Sequence, residues 1–284
     1  MAETRWKIGG EIFDLTPRGW LMGVLNVTPD SFSDGGRFFS AQRAIEHGRQ
    51  MIADGADIID VGGESTRPGA EAVDIAEEKR RVLPVIAALA REPRALISID
   101  TSKPEVAAAA LEAGAKIIND VTGGRRGVDG MFALAAKYRA GFIVMHMQGT
   151  PRTMQSAPHY KDVVSEVGDF FRQQYDRAIE SGVDCMTLAF DPGIGFGKTF
   201  EHNLSLLRKL ESLRLHDRPL IVGVSRKAFL GKIGSDNGAV EQRLFPTVGF
   251  TSLLRFGGAD VVRVHDVQPN LEALRVADAL RGAA

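Results

Sequence analysis

Eight short apolar runs, each followed by a longer amphipathic stretch, dominate this chain and leave few folds open to it. The runs cover residues 21–27, 58–63, 96–100, 116–121, 142–147, 186–191, 220–225 and 261–266. They are hydrophobic nearly throughout instead of alternating, as expected of parallel strands covered on both faces. Helical periodicity fills the gaps at 41–53, 75–90, 105–112, 160–181, 203–213, 247–256 and 271–280, with a shorter candidate at 131–138. One pattern recurs at Gly55, Gly114 and Gly258: a helix-ending glycine, then Ala, then a polar residue that leads into an apolar run.

Eight such units with no linker rich in Pro, Gly or Ser predict a closed α/β barrel, the (β/α)8 TIM barrel, in preference to an open doubly wound sheet. The 284 residues suit one barrel, read as a single domain over 1–284. Gly9-Gly10 between two short apolar runs predicts a hairpin within residues 4–16 that caps the barrel's N-terminal end. The 35 Lys and Arg balance 36 Asp and Glu, which argues against a nucleic-acid-binding surface but permits a local anion pocket. The lone Cys185 has no partner for an internal disulfide and adjoins an apolar run, so a small buried hydrophobe is expected there. No run reaches the roughly 20 apolar residues of a membrane helix, and the first ten residues hold no apolar stretch of signal length. A cytoplasmic protein is expected.

Polar residues collect at the C-terminal ends of the runs: Asn26, Glu64, Asp100, Asn119 with Asp120, His146, Asp191, the trio Ser225-Arg226-Lys227, and Arg263 with His265. In barrel enzymes this rim carries the active site. Asp100, Asn119 and Asp191 offer acceptors, with an amide that also donates, a set suited to a flat heterocycle bearing amino, ring N–H and carbonyl groups. Lys227, Arg263 and His265 supply positive charge for a phosphate or diphosphate. Asn26, with Asp34 in the following loop, offers oxygens to a magnesium ion that keeps most of its waters. Together they indicate a phosphorylated heteroaromatic substrate. Asp60 reads as a buried structural carboxylate, while Asp120 and His146 fit either packing or ligand contact. His47, His159, His202 and His216 read as surface residues. No cluster has zinc spacing, and no nucleophile elbow is present. The stretch 193–199 looks like a phosphate loop, but Pro192 stands where the Walker pattern needs its first glycine, so it reads as a turn lining the substrate.

The segments 25–36, 60–69, 98–101, 118–121, 145–151, 191–198, 225–227 and 263–266 resemble, in order, the signature motifs of the dihydropteroate synthases, across residues 21–266. The resemblance implies a transferase of folate biosynthesis that condenses 6-hydroxymethyl-7,8-dihydropterin diphosphate with p-aminobenzoate, giving 7,8-dihydropteroate and diphosphate. It implies that Asp100, Asn119, Asp191 and Lys227 bind the pterin, with Val121 and Met145 packed beside it. Asn26, Thr66, Arg263 and His265 would hold the diphosphate, Asn26 also contacting Mg²⁺. Thr66, Pro68, Phe196, Lys227 and Ser225 would shape the p-aminobenzoate pocket. The loops bearing Asp34 and Arg67 would close over the site, and these two residues would join Asp100 and Lys227 in catalysis.

In one respect the chain departs from part of that family: Ala228 follows the trio where several members carry Ser, leaving only a backbone N–H for a carboxylate. The stretch 195–197 lacks the Phe-containing insertion of sulfonamide-resistant relatives, which implies a sulfonamide target. A homodimer through the last helices is also implied, and Leu271, Leu274, Val276, Ala277 and Leu280 suit either that contact or packing on the barrel. Two rivals stand beside this reading. A pterin-binding methyltransferase-type barrel would share the pterin set without needing the 30–36 loop, the Ser225 trio and the Arg263/His265 pair together. A non-catalytic pterin-binding relative would show gaps among Asn26, Asp34, Arg67, Lys227 and Arg263, and none is missing.

Overall fold

In the computed structural model, which describes residues 3–28, 36–65, 72–94, 96–125, 128–233 and 243–282, the apolar runs lie side by side as eight parallel strands. They are β3 (Trp20–Asn26), β4 (Ile58–Gly62), β5 (Leu96–Asp100), β6 (Ile117–Asp120), β7 (Gly141–Met145), β8 (Leu188–Asp191), β9 (Ile221–Val222) and β10 (Val261–Val264). The order β8-β7-β6-β5-β4-β3-β10-β9 is closed by a parallel bridge between Phe190 and Leu220, with the Phe190 amide donating to Pro219 O at 2.9 Å. The sheet is therefore a barrel. Helices α1 (Gly36–Ala53), α2 (Ile75–Leu89), α3 (Pro104–Glu112), α4 (Val128–Tyr138), α5 (Val163–Glu180), α6 (Phe200–Arg208), α7 (Leu244–Phe256) and α8 (Val267–Leu280) follow the strands in turn.

Local chemistry sets where these helices begin. Asp74 caps α2 by accepting from the Glu77 amide, Asp162 caps α5 by accepting from Val164 and Ser165, and Pro104 opens α3 where a missing N–H costs nothing. At α6, Thr199 and His202 form a reciprocal capping box, so His202 is structural and not the plain surface residue expected.

The strands are apolar on both faces because both faces are covered. Ile59 and Val61 of β4 pack outward against Val82, Val85 and Leu89 of α2, while Ile58 points into the barrel. Each such side chain, once buried, stabilises by about 1.5–3 kcal/mol. The barrel's lower interior joins Met22, Ile58, Ile117, Ile143, Ala189, Ile221 and Val261 in one cluster. That cluster is plugged from below by the antiparallel hairpin of β1 (Arg5–Ile8) and β2 (Glu11–Asp14), through Trp6, Ile8 and the following Leu15. Trp6 is fully buried, and its indole N–H donates to Thr187 O at 2.8 Å.

Three expectations need correction. The run at 220–225 pairs as a strand only over Ile221–Val222, because the Lys227 amide turns back onto Val224 O (3.1 Å) and ends the ladder. The start of the run at 186–191 is a 3₁₀ turn, Cys185–Thr187, and Cys185 on it is half-buried instead of buried. The helix expected at 203–213 starts earlier, at Phe200, and ends at Arg208, with a 3₁₀ turn over Leu210–Leu213.

Candidate active site

Strand register decides which polar residues meet. Asn26 pairs with Gly62, Gly62 with Asp100, and Asp100 with Asn119, so one row crosses four strands near their C-terminal ends. Farther round, Met145 pairs with Asp191. Because side chains alternate between faces, Asn26, Asp60, Ser98, Asp100, Asn119 and Arg263 share the parity of the inward-facing Met22, Ile58 and Val261. The absence of a side chain at Gly62 leaves room: Asn26 Oδ1 and Asp100 Oδ2 both lie 3.7 Å from where its Cβ would stand.

A buried charge network organises this rim. Arg263 donates to Asp60 through Nε and to Asp100 through Nη2, both contacts lying at 2.7–2.8 Å. Asp60 is fully buried, as its structural reading requires, and also accepts from Asn119 Nδ2 at 2.9 Å. With that N–H engaged, Asn119 presents its Oδ1 as an acceptor. Burial pulls the Arg263 guanidinium down, but Asp60 and Asp100 more than offset this and hold it above its ordinary value. For Asp100, burial raises the carboxyl pKa to about 7, with Asp60 adding to the rise and Arg263 opposing it. Asp120 points elsewhere: its carboxylate accepts from Thr122 N, Thr122 Oγ1 and Gly124 N, and so shapes the loop after β6.

Across the mouth stand Asp191 and Lys227. Burial raises the Asp191 pKa against the pull of Lys227, and burial lowers the Lys227 pKa to about 8 against the pull of Asp191. Lys227 Nζ donates to Ile194 O and lies 4.8 Å from the centre of the Phe196 ring, a cation–π contact. Val121, Met145, Met147 and Met154 form an apolar cluster with Phe196 packed against it. Ser225 is buried, and its hydroxyl meets both the backbone N–H and Nδ1 of His265, at 3.1 and 3.0 Å. Arg226 adopts a left-handed backbone (φ 58°) and is braced by a two-pronged ion pair with Asp266. Beside Asp100 and Val121 opens a cavity of about 410 Å³, lined also by Glu64, Thr122, Arg125 and Met147. That size suits a drug-sized ligand.

The structure thus brings together Asn26, Asp100, Asn119, Asp191, Lys227, Arg263 and the apolar pair Val121 and Met145. Asp34, Thr66, Arg67 and Pro68 lie outside the described residues. His146 is buried and packs behind the rim, with a neutral imidazole: burial and then Lys198 bring its pKa to about 2. Sequence reasoning missed Lys103, whose ammonium bridges Glu64 and the fully buried Glu78, and Arg125, which lines the cavity and donates to Met147 O at 2.5 Å. Neither stands in a distinctive local pattern. For a magnesium ion, the amide oxygen of Asn26 on the rim is a hard-oxygen donor. It fits an ion that keeps several waters and takes further ligands from a substrate's phosphates.

Residues 22–265 match the family model described as "Pterin binding enzyme". The dihydropteroate synthase of Synechocystis sp. is 46% identical over 273 residues, covering 96% of this chain and 94% of that protein. Among solved structures, the Xanthomonas albilineans dihydropteroate synthase with 4-aminobenzoic acid superposes with a TM-score of 0.90 at 42% identity, covering 99% of both chains. The Yersinia pestis dihydropteroate synthase in complex with a sulfonamide drug gives 0.90 at 40% identity, covering 98% of this chain and 99% of that one. The closed barrel, its rim of acceptors and cations, and these matches together show that the chain belongs to the pterin-binding enzymes, within the dihydropteroate synthase family.

Proposed function

We propose that the chain joins 6-hydroxymethyl-7,8-dihydropterin diphosphate to p-aminobenzoate, with the pterin in the barrel mouth and p-aminobenzoate against Phe196 and Lys227. One observation carries the reading: Asp100, Asn119 and Asp191 converge as acceptors on a site whose cations are Arg263 and Lys227. The acceptors match the amino and ring N–H groups of a pterin, and each missed hydrogen bond in a buried site discriminates strongly against other ring systems.

The residues then divide the work. Asp60 orients Asn119 and Arg263 together, so the ring-binding amide and the anion-binding guanidinium are set by one buried carboxylate. Arg263 and His265 face the diphosphate as it departs, stabilising charge that grows in the transition state. Asn26 would hold Mg²⁺ together with the substrate's phosphates, and the ion would add positive charge beside the leaving diphosphate oxygens. The bond from the pterin methylene to diphosphate oxygen breaks, leaving an electron-deficient methylene near Asp100 and, in this proposal, Asp34. The neutral aniline nitrogen of p-aminobenzoate forms the new C–N bond and loses one proton. No covalent enzyme intermediate is needed. Thr66 and Pro68 belong to the proposal as substrate contacts, and Arg67 as a catalytic residue.

The proposal extends to one barrel domain over 1–284, a cytoplasmic location that suits a chain with a single, free cysteine, and a homodimer. Among the described residues no helix is long and apolar enough to cross a membrane. For the dimer, the support is exposed apolar surface on the last two helices: Phe245, Leu253 and Phe256 on α7, Val276 and Leu280 on α8. Of the α8 positions named above, Leu274 and Ala277 are buried, so the outward role falls to Val276 and Leu280. The pterin assignment is checked by titrating the protein with the pterin diphosphate: Asp191→Ala is expected to weaken binding by about a hundredfold, the loss of a charge-assisted pair of hydrogen bonds. Unchanged affinity in a folded Asp191→Ala protein would remove the ring from this mouth.

A further inference from the structure

Lys198 has no part in the chemistry above, yet it is 3% exposed. Its Nζ lies 3.0 Å from Gly193 O, 3.0 Å from Phe196 O and 3.3 Å from His146 O, and 3.0 Å from His146 Nδ1. The three carbonyl oxygens match the three N–H donors of an ammonium, and His146 Nδ1 lies within reach of the same nitrogen. Burying an amine this deeply is costly unless its donors are all used, so these acceptors are the reason the lysine is tolerated there.

What Lys198 grips is the 193–197 turn after β8. All five carbonyls of that turn meet a donor: Gly193 O and Phe196 O meet Lys198, Ile194 O meets Lys227, Gly195 O meets Gln155 Nε2 (2.6 Å) and Gly197 O meets the Tyr160 hydroxyl (2.8 Å). Three of its amides are engaged as well: Gly193 N with Asp191 and Gly195 N with Asn203, both at 2.7 Å, and Phe196 N with Gly193 O at 3.0 Å. The turn is pressed onto the chain leaving β7. A Cβ on Gly193 (φ 63°) would stand 1.9 Å from His146 O, and one on Gly197 (φ 64°) 2.5 Å from Gln148 O. Two groups of the proposed p-aminobenzoate pocket depend on this turn, the Phe196 ring and the Ile194 carbonyl that receives Lys227.

We infer that Lys198 is a positioning residue for p-aminobenzoate: it pins the 193–197 turn to the end of β7, and the turn sets Phe196 and Lys227. The inference rests on the reading that these two residues line the p-aminobenzoate pocket. It assigns the lysine of the glycine-rich stretch to holding peptide carbonyls, with no phosphate involved.

The test is steady-state kinetics and pterin-diphosphate binding of Lys198→Met, which keeps the stem and removes the donors. KM for p-aminobenzoate is expected to rise about ten- to a hundredfold, while the pterin-diphosphate Kd stays within about threefold. A lowered melting temperature with unchanged KM would make the lysine merely structural and overturn the inference. If Lys198→Met does not fold, Tyr160→Phe removes one donor from the same turn while keeping the ring. There a KM rise of about fivefold is expected, and an unchanged KM overturns the inference equally. Phe196→Ala separates the two claims. An unchanged KM in Phe196→Ala sinks the pocket reading itself, whereas a raised KM there with an unchanged one in Lys198→Met sinks only the role of Lys198.

Discussion

At the scale of single residues, two groups proposed to act in catalysis titrate close together. Asp100 is raised to about 7 by burial, and Lys227 is lowered to about 8. If the ionised carboxylate and the ammonium are both needed, kcat/KM falls below about 7 as Asp100 takes a proton and above about 8 as Lys227 loses one. A bell-shaped profile is therefore expected, and Asp100→Asn should abolish its acid limb. The same shift sets the stability effect. The folded-state pKa of Asp100 lies above its ordinary value of 3.8, so the native state binds that proton more tightly than the unfolded chain. The ionised carboxylate therefore costs stability once pH passes the ordinary value, with the full cost above about 7. At pH 8, Asp100→Asn should melt no lower than the parent while turnover falls by about a hundredfold or more; a folded variant with unchanged turnover contradicts the assignment. That Asp100, Asn119 and Asp191 would meet was legible from their places at strand ends. That Asp60 would join Asn119 to Arg263 was not, because register across β4, β6 and β10 appears in no local pattern.

At the scale of elements, the contrast between two glycines measures how tightly the rim is built. Gly10 sits in the hairpin turn with φ 93° and open space where a Cβ would go, so Gly10→Ala should cost only the left-handed penalty, about 1–2 kcal/mol. Gly193→Ala must displace the backbone of His146 as well and should cost at least about 3 kcal/mol. Urea denaturation of the two variants checks this, and equal losses would mean that the 193–197 turn is soft. The hairpin itself acts on stability more than chemistry: Trp6→Ala should remove about 3–5 kcal/mol and leave KM for both substrates unchanged in the folded fraction. The strand and helix order was readable because each run obeys one period. The ends of β9 and α6 were not, since a turning amide at Lys227 and the capping box at Thr199 are tertiary or near-local hydrogen bonds that leave hydrophobicity unchanged.

At the scale of the whole molecule, two faces of the barrel have separate tasks. Among the described residues, the groups proposed for binding or catalysis lie on the rim above β3–β10, and the hairpin face carries packing. The exposed apolar surface on α7 and α8 belongs to neither. Leu253→Glu with Leu280→Glu should convert the proposed dimer to a monomer in light scattering without unfolding it; a parent protein that is monomeric at micromolar concentration rules the dimer out. The fold was legible as a whole because eight repeats of one pattern admit few closed arrangements, whereas the sequence could not tell which α8 residues pack on the barrel: Leu274 is buried and Val276, two residues on, is exposed. The central claim, synthesis of dihydropteroate at this rim, is tested most directly by diphosphate release from the purified protein supplied with the pterin diphosphate, Mg²⁺ and p-aminobenzoate, each omitted in turn. Release that requires p-aminobenzoate, with dihydropteroate formed in equal amount, is the predicted result; pterin binding without turnover, or no pterin binding at all, would contradict it.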